Sequence, residues 1–312
     1  MIDFRYHLVS IVSIFLALAV GIVLGAGPLK EDIGNTLTSE VTRLREDRTE
    51  LRARLDEAEK AAQARDAFTE AGNKSLLPGR LQDTTLTLVV LPGADANLVK
   101  STTSTLADAG AKIGSTVTVL DAWVEPDKAT FRSTLGEQLA PSVQVPVDQD
   151  GELVNAVLAR SLLAKAGGGS PGADAALEGL RTGELIRYTP DSITPATGAV
   201  VIGGPVTGGT ADERTARTES LAQLAAALDS AGSGAVLATP ALNGSDDPQV
   251  SVGATVRQDS QASKNLSTVD HAEVPMGQAS IVFGLMEQFA GNAGHYGLEA
   301  DATAAFPAMA AK

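Results

Sequence analysis

The chain has 312 residues, 44 % of them hydrophobic, and 24 Lys and Arg against 38 Asp and Glu give a formal net charge of −14. That acidity argues against a nucleic-acid partner, which requires a basic footprint. Because the sequence contains no cysteine, disulfides, thiolate metal sites and cysteine nucleophiles are excluded.

Leu8 to Ala26, LVSIVSIFLALAVGIVLGA, is a run of nineteen residues without a charge. At about 1.5 Å per helical residue it covers a hydrocarbon core of about 30 Å. Arg5, His7 and the terminal amine precede it, whereas Lys30, Glu31 and Asp32 after it are mixed in sign. The cationic excess predicts a cytoplasmic N-terminus over residues 1–7, a single-pass anchor over 8–27 and an extracytoplasmic remainder. A cleaved secretory signal is the alternative, because Gly25, Ala26 and Gly27 offer small residues to a peptidase. Against it, the run exceeds the usual h-region of about 7–15 residues. Both readings export the body of the chain, and residence in the inner or outer membrane stays open.

Residues 28–72 are expected to form a coiled-coil stalk. Val41, Arg48, Leu55 and Ala62 fall at a positions and Leu37, Leu44, Leu51 and Ala58 at d positions of a heptad repeat. In a parallel in-register pair the g residues Glu40, Asp47 and Arg54 face Arg45, Arg52 and Glu59 at e, all attractive. A parallel homodimer through residues 35–71 follows, with Arg48 beside its own copy fixing register at a cost in stability. A solvated single helix, or one folded back on the distal domain, is the alternative.

Residues 73–84, with the breakers Pro78 and Gly79, read as a linker. An extracytoplasmic domain is expected over 85–297 and a flexible tail over 298–312. Within the domain, short apolar runs at Leu86–Leu91, Thr116–Leu120, Ala199–Ile202, Ala235–Ala238 and Asn265–Val269 predict strands. Helices are predicted near Ala96–Asp108, Asp127–Leu139, Ala211–Ser230 and Ala279–Ala290. This alternation predicts an α/β fold with a mainly parallel sheet covered on both faces. Residues 141–198 fit as a helical insertion, with helices at Glu152–Ala166 and Ala173–Arg181 divided by a Gly-rich connection.

Chemistry-bearing patterns are sparse. Gly203-Gly204-Pro205-Val206-Thr207-Gly208-Gly209 occupies the place of a phosphate loop but lacks G-x-G-x-x-G spacing and a P-loop lysine, so it reads as a plain connection. Asp148-Gln149-Asp150-Gly151 resembles part of a calcium loop, but Pro146 stands at the first ligand position. His271, with Asp270 and Glu273 nearby in sequence, and Met276 are the candidate metal residues; Met286 and Met309 are dispersed. Neither G-x-S-x-G nor H-E-x-x-H occurs. The expectation is a non-enzyme without a resident cofactor, a reaction at the sheet's C-terminal edge being the third-ranked reading.

The opening MIDFRYHLVSIVSIFLALAVGIVLG, VVLPGAD at Val89–Asp95, LDAWVEP at Leu120–Pro126 and the terminal STVDHAEVPMGQASIVFGLMEQFAGNAGHYG resemble the actinobacterial MctB-type copper-transport family over essentially the whole chain. The resemblance implies copper homeostasis and export across a complex cell envelope, with copper as transported ion. Some similar proteins, called SteB, imply a different role, in daughter-cell separation and regulation of cell-wall hydrolases, for which the chain would be a dimeric scaffold. By its residues the chain fits a pore poorly, since one spanning helix and short strands provide neither a helical bundle nor a barrel.

Overall fold

The computed structural model describes residues 4–146, 152–165, 168–242, 244 and 247–308, with the side chains of 26–36 outside the description. Chain contacts divide it into two units, Met1–Arg65 and Asp66–Lys312.

The first unit is helical. Helix α1 (Phe4–Leu76) begins in it, and its stretch Phe4–Gly25 is 22 residues long and apolar enough to cross a bilayer. Ile14, Phe15 and Leu24 are exposed there, as a lipid-facing segment requires.

The last turns of α1 belong to the second unit. Asp66, Thr69, Gly72 and Asn73 are half-buried, and Asn73 Nδ2 donates to the Pro275 carbonyl at 2.8 Å. Leu77 and Leu81 are buried in a core cluster. The stretch read as a linker over 73–84 is therefore part of the folded domain. Pro78 and Gly79 do end the helix, Gly79 taking the left-handed φ of +75° that its turn needs.

The remaining elements are β1 (Thr85–Val90), α2 (Ala96–Asp108), β2 (Lys112–Val119), α3 (Ala129–Leu139), α4 (Leu153–Leu162), α5 (Ala173–Thr182), β3 (Ile186–Thr189), β4 (Gly198–Ile202), α6 (Ala211–Ala231), β5 (Ala235–Ala238), α7 (Val252–Gln258), α8 (Ala262–Asn265), β6 (Ser267–Val269), α9 (Pro275–Phe289) and β7 (His295–Tyr296). The strands form one open seven-stranded sheet in the order β3-β2-β1-β4-β5-β6-β7. Every pairing is parallel except β2 with β3. The fold is thus the expected helix-covered α/β arrangement, and α4 and α5 supply the predicted insertion.

Side-chain alternation along the central strands builds two cores. Val89, Val117, Ala199, Val201 and Leu237 face α4, α5, α6 and α7 on one side. Leu86, Leu88, Val200, Ile202 and Val236 face α2, α9 and the Leu77–Leu81 turn on the other. Strands β4 and β5 are buried at every residue, which is why they read as unbroken apolar runs.

Asp229, on α6, accepts a bond of 2.8 Å from the Ala235 N–H at the start of β5. Burial pushes its carboxyl up to about 6, against the Ala235 bond and the Lys165 charge, which act to lower it. A carboxyl raised in the folded state holds its proton longer there than in the unfolded chain, so its contribution is full near pH 4 and is lost as pH rises through about 6. Wild-type protein and Asp229→Asn should therefore diverge by on the order of 3 kcal/mol between pH 4 and pH 8, the variant gaining. Urea unfolding followed by the fluorescence of the single tryptophan, Trp123, measures this. Parallel pH profiles would count against the assignment.

Candidate functional site at the C-terminal edge of the sheet

In an open parallel sheet, ligands and reacting groups collect in the loops beyond the strands' C-terminal ends, where the strand order reverses. That point lies between β1 and β4. The stretches VVLPGAD, LDAWVEP and DHAEVP all emerge at this edge, after β1, β2 and β6.

The loop after β1 is held by Asp95, whose side chain accepts from the Asn97 and Leu98 N–H groups at 2.8 and 3.1 Å and caps α2. Gly93 has a φ of +79° and packs against the Pro205 carbonyl. A Cβ on Gly204 would collide with the Gly93 carbonyl. The two loops thus meet backbone to backbone at the reversal of strand order. The rest of the glycine loop turns its carbonyls to its own helix: Arg217 Nη2 donates to Thr207 and Gly208, and Arg214 Nη1 to Gly209, at 2.6–3.1 Å. Thr210 and Glu213 form a reciprocal cap at the start of α6. The Thr207, Gly208 and Gly209 carbonyls and the Thr210 side chain are thus bonded within the fold.

LDAWVEP is a packed corner. Trp123 is fully buried and donates from Nε1 to Asn155 Oδ1 at 3.2 Å. Buried Arg132, on α3, donates from Nη1 to the Ala122 and Glu125 carbonyls at 3.2 and 2.7 Å. The motif therefore joins β2 to α3 and α4.

The densest polar network surrounds Arg257 on α7, whose side chain is 3 % exposed. It donates to Thr268 Oγ1 (2.9 Å), Asp270 Oδ2 (2.7 Å), the Tyr296 carbonyl (3.1 Å), Glu299 Oε2 (3.4 Å) and Asp301 Oδ1 (2.7 Å). Asp270 also accepts from the Leu298 N–H at 2.7 Å and the Glu299 N–H at 3.3 Å. Burial pushes the Asp270 carboxyl up, but bonds from His271, Arg257 and Leu298 outweigh it and hold it below the ordinary range. Glu299, raised by burial and by the Asp270 charge, takes the opposite shift within one cluster.

This network corrects the reading of 298–312 as a flexible tail. Besides the bonds to Arg257 and Asp270, Thr303 Oγ1 donates to the His295 carbonyl at 2.8 Å and Ala304 pairs with Tyr296. Leu298 to Ala304 is tied to β7, and residues 309–312 lie outside the described part.

The histidines separate. His295 Nε2 lies 3.0 Å from the Ser263 carbonyl, an acceptor, so Nε2 carries the proton and Nδ1 accepts from Thr268 Oγ1 at 3.0 Å. Burial lowers its pKa, which fits this neutral tautomer. His271 has a left-handed φ of +48°, and its Nδ1 bonds Asp270 Oδ1 at 2.6 Å. Glu273 does not join them; its carboxylate accepts from the Ala241 N–H at 3.2–3.3 Å. Met276 is half-buried in the first turn of α9, Met286 is packed against the second core, and Met309 and the Asp148–Gly151 turn lie outside the described residues. Among the described residues no three His, Cys, Asp or Glu converge to hold a metal ion.

Arg257 escaped sequence reasoning because its carboxylate partners lie 13, 42 and 44 residues away. No local spacing signals such a cluster.

Residues 1–307 match the family model described as "Copper transport outer membrane protein, MctB". The copper transporter MctB of Mycobacterium tuberculosis (strain ATCC 25618 / H37Rv) is 28 % identical over 315 residues, 95 % of this chain and 96 % of that protein. The copper transporter MctB of Mycobacterium leprae (strain TN) is 26 % identical over 316 residues, 97 % of this chain and 98 % of that protein. With the family matched from its apolar helix to its C-terminal network, the chain belongs to the MctB family of copper transport outer membrane proteins.

Proposed function

We propose that the protein is a non-enzymatic component of copper transport in the cell envelope. One apolar segment anchors it, its N-terminus is cytoplasmic, and the α/β domain is extracytoplasmic. The observation that carries this reading is the pairing of one 22-residue segment apolar enough to span a bilayer, the one such segment among the described residues, with an open sheet covered on both faces. Such a sheet cannot close into a membrane barrel, and one helix cannot enclose a pore. The domain therefore serves transport by contact with other envelope components, with copper as their cargo. A non-catalytic role is supported at the C-terminal edge, where Arg257, His295 and Arg132 are bonded within the fold and the Gly93–Gly204 contact occupies the strand reversal. The excess of Arg5 and His7 before the apolar run supports the orientation.

Protease added outside spheroplasts should digest the α/β domain and leave a short anchored fragment; protection of the domain would reverse the orientation. Calorimetry on the full chain in lipid nanodiscs should detect no tight cuprous or cupric binding, and His271→Ala and Met276→Leu should change nothing. Tight stoichiometric binding lost in either variant would establish a copper site and overturn the contact role. A deletion strain should be copper-sensitive. Failure to separate daughter cells at ordinary copper levels would select a cell-separation scaffold instead.

A further inference from the structure

Beyond the apolar segment, the part of α1 in the first unit carries an exposed apolar stripe. Leu37, Leu44, Leu51 and Leu55 are 57–65 % exposed and Val41 38 %. Large apolar side chains on one helix face in water call for a covering surface.

Charge identifies that surface. Of the six residues flanking the stripe at g and e, Glu40 and Arg54 make pairs along their own helix, with Arg43 and Glu50. Arg45, Asp47, Arg52 and Glu59 have no ion-pair partner among the described residues. A second copy of the same helix, parallel and in register, meets all of them with the opposite sign, giving Glu40–Arg45, Asp47–Arg52 and Arg54–Glu59 twice over. An antiparallel copy or an unrelated helix has no such built-in match.

The length of the stripe is also limited. Continued in the same register it reaches Thr69, which with Asn73 and Leu77 is turned onto the α/β domain. The small residues Ala58 and Ala62 precede that point, so the interchain seam spans about three heptads and the helices part beyond it. Two-stranded coils of this length are marginal in water. Arg48, at the central a position, places two guanidinium groups side by side and weakens the seam further.

We propose that Leu37–Ala58 is the interface of a parallel homodimer and that Arg48 sets its strength so that it forms when two chains are confined in one membrane. Its parallel sense rests on the anchor proposed above; its register rests on the charge pattern alone. Confinement supplies the effective concentration that the short seam lacks. The protein then reports its own surface density, being monomeric when sparse and dimeric when crowded.

Because the wild-type chain has no cysteine, single-cysteine variants of the full protein in liposomes give a direct test. Leu44→Cys and Leu51→Cys should each crosslink to a dimer under mild oxidation. Ala53→Cys, on the outer face of the repeat, should do so about tenfold less. Leu44→Cys mixed with a tagged Leu51→Cys chain should give no heterodimer. Glu40→Arg should suppress crosslinking at Leu51→Cys, and adding Arg45→Glu should restore it. Arg48→Leu should keep the dimer at about tenfold lower protein-to-lipid ratio. Equal crosslinking at 53 and 51, or none at 44 and 51 in protein with the buried fluorescence of Trp123, would overturn the homodimer. Efficient mixed 44–51 linkage would overturn the register, and indifference to Arg48→Leu would overturn the density threshold. The anchor is read separately by protease accessibility, so its failure and that of the seam are distinguishable.

Discussion

Arg257→Leu is expected to lower the unfolding free energy by about 3–5 kcal/mol, the range for removing one partner of a buried ion pair. The leucine keeps the aliphatic contact of the arginine stem, so the loss falls on the polar groups. Asp270, 1 % exposed in its side chain, would remain buried with its opposite charge removed, and Glu299 and Asp301 would lose their attachment at the same time. The loss should be local as well as global. Leu298 to Ala304 is bound through Arg257, Asp270 and His295, so limited proteolysis should cut the variant beyond Gly297 under conditions that leave wild type intact. Thr303→Ala, which removes one bond to the His295 carbonyl, should cost about 1 kcal/mol and leave the segment protected. Unfolding of Arg257→Leu at the wild-type urea concentration, with the segment intact, would show that the cluster does not hold the domain together.

Gly204→Ala should be nearly as damaging, costing about 3 kcal/mol or preventing folding, because its Cβ would enter the Gly93 backbone, which has no rotamer by which to yield. Gly203 next to it provides the control. Its Cβ would meet Thr239 Cγ2 at 3.2 Å and Leu237 Cδ1 at 3.8 Å, side-chain atoms with some freedom to move, so Gly203→Ala should cost less than about 1 kcal/mol. Equal losses in the two variants, measured by urea unfolding, would deny the close approach of the loops after β1 and β4.

How much of this was legible in the sequence depended on whether a residue's role was decided by its neighbours. Strands β1, β4 and β5 are buried on both sides, so LTLVVL, AVVI and AVLA announce them. Helix α6, expected over Ala211–Ser230, runs over Ala211–Ala231. Strand β3 escaped because it is four residues long: Ile186 and Tyr188 alternate with exposed Arg187 and Thr189, but two repeats are too few to read. Strand β7 has two residues and exists through the backbone pairing of Thr268 and Val269 with His295 and Tyr296. At α9 the sequence pattern placed the start at Ala279, but Pro275 opens the helix at its first position, where a missing N–H costs nothing.

Within the candidate site, His271 and Asp270 were found together because they adjoin in sequence. Glu273 was drawn in by the same proximity, and the turn after β6 sends it to Ala241 instead. The linker and the tail were misjudged for one reason. Leu77 and Leu81 flank the Pro78–Gly79 breaker and Leu298 and Glu299 follow Gly297, and only tertiary contacts show that these short segments close the domain at both ends.

Both margins of the sheet are blunted. On one side, the antiparallel strand β3 is four residues long, carries Arg187 on its outer face and runs into Pro190. On the other, the two residues of β7 are already occupied through the Tyr296–Ala304 bridge. Short, charged or covered strand ends deny a neighbouring chain a template for continued backbone pairing. Copies of the folded domain brought close together can therefore collide without polymerising edge to edge through the sheet.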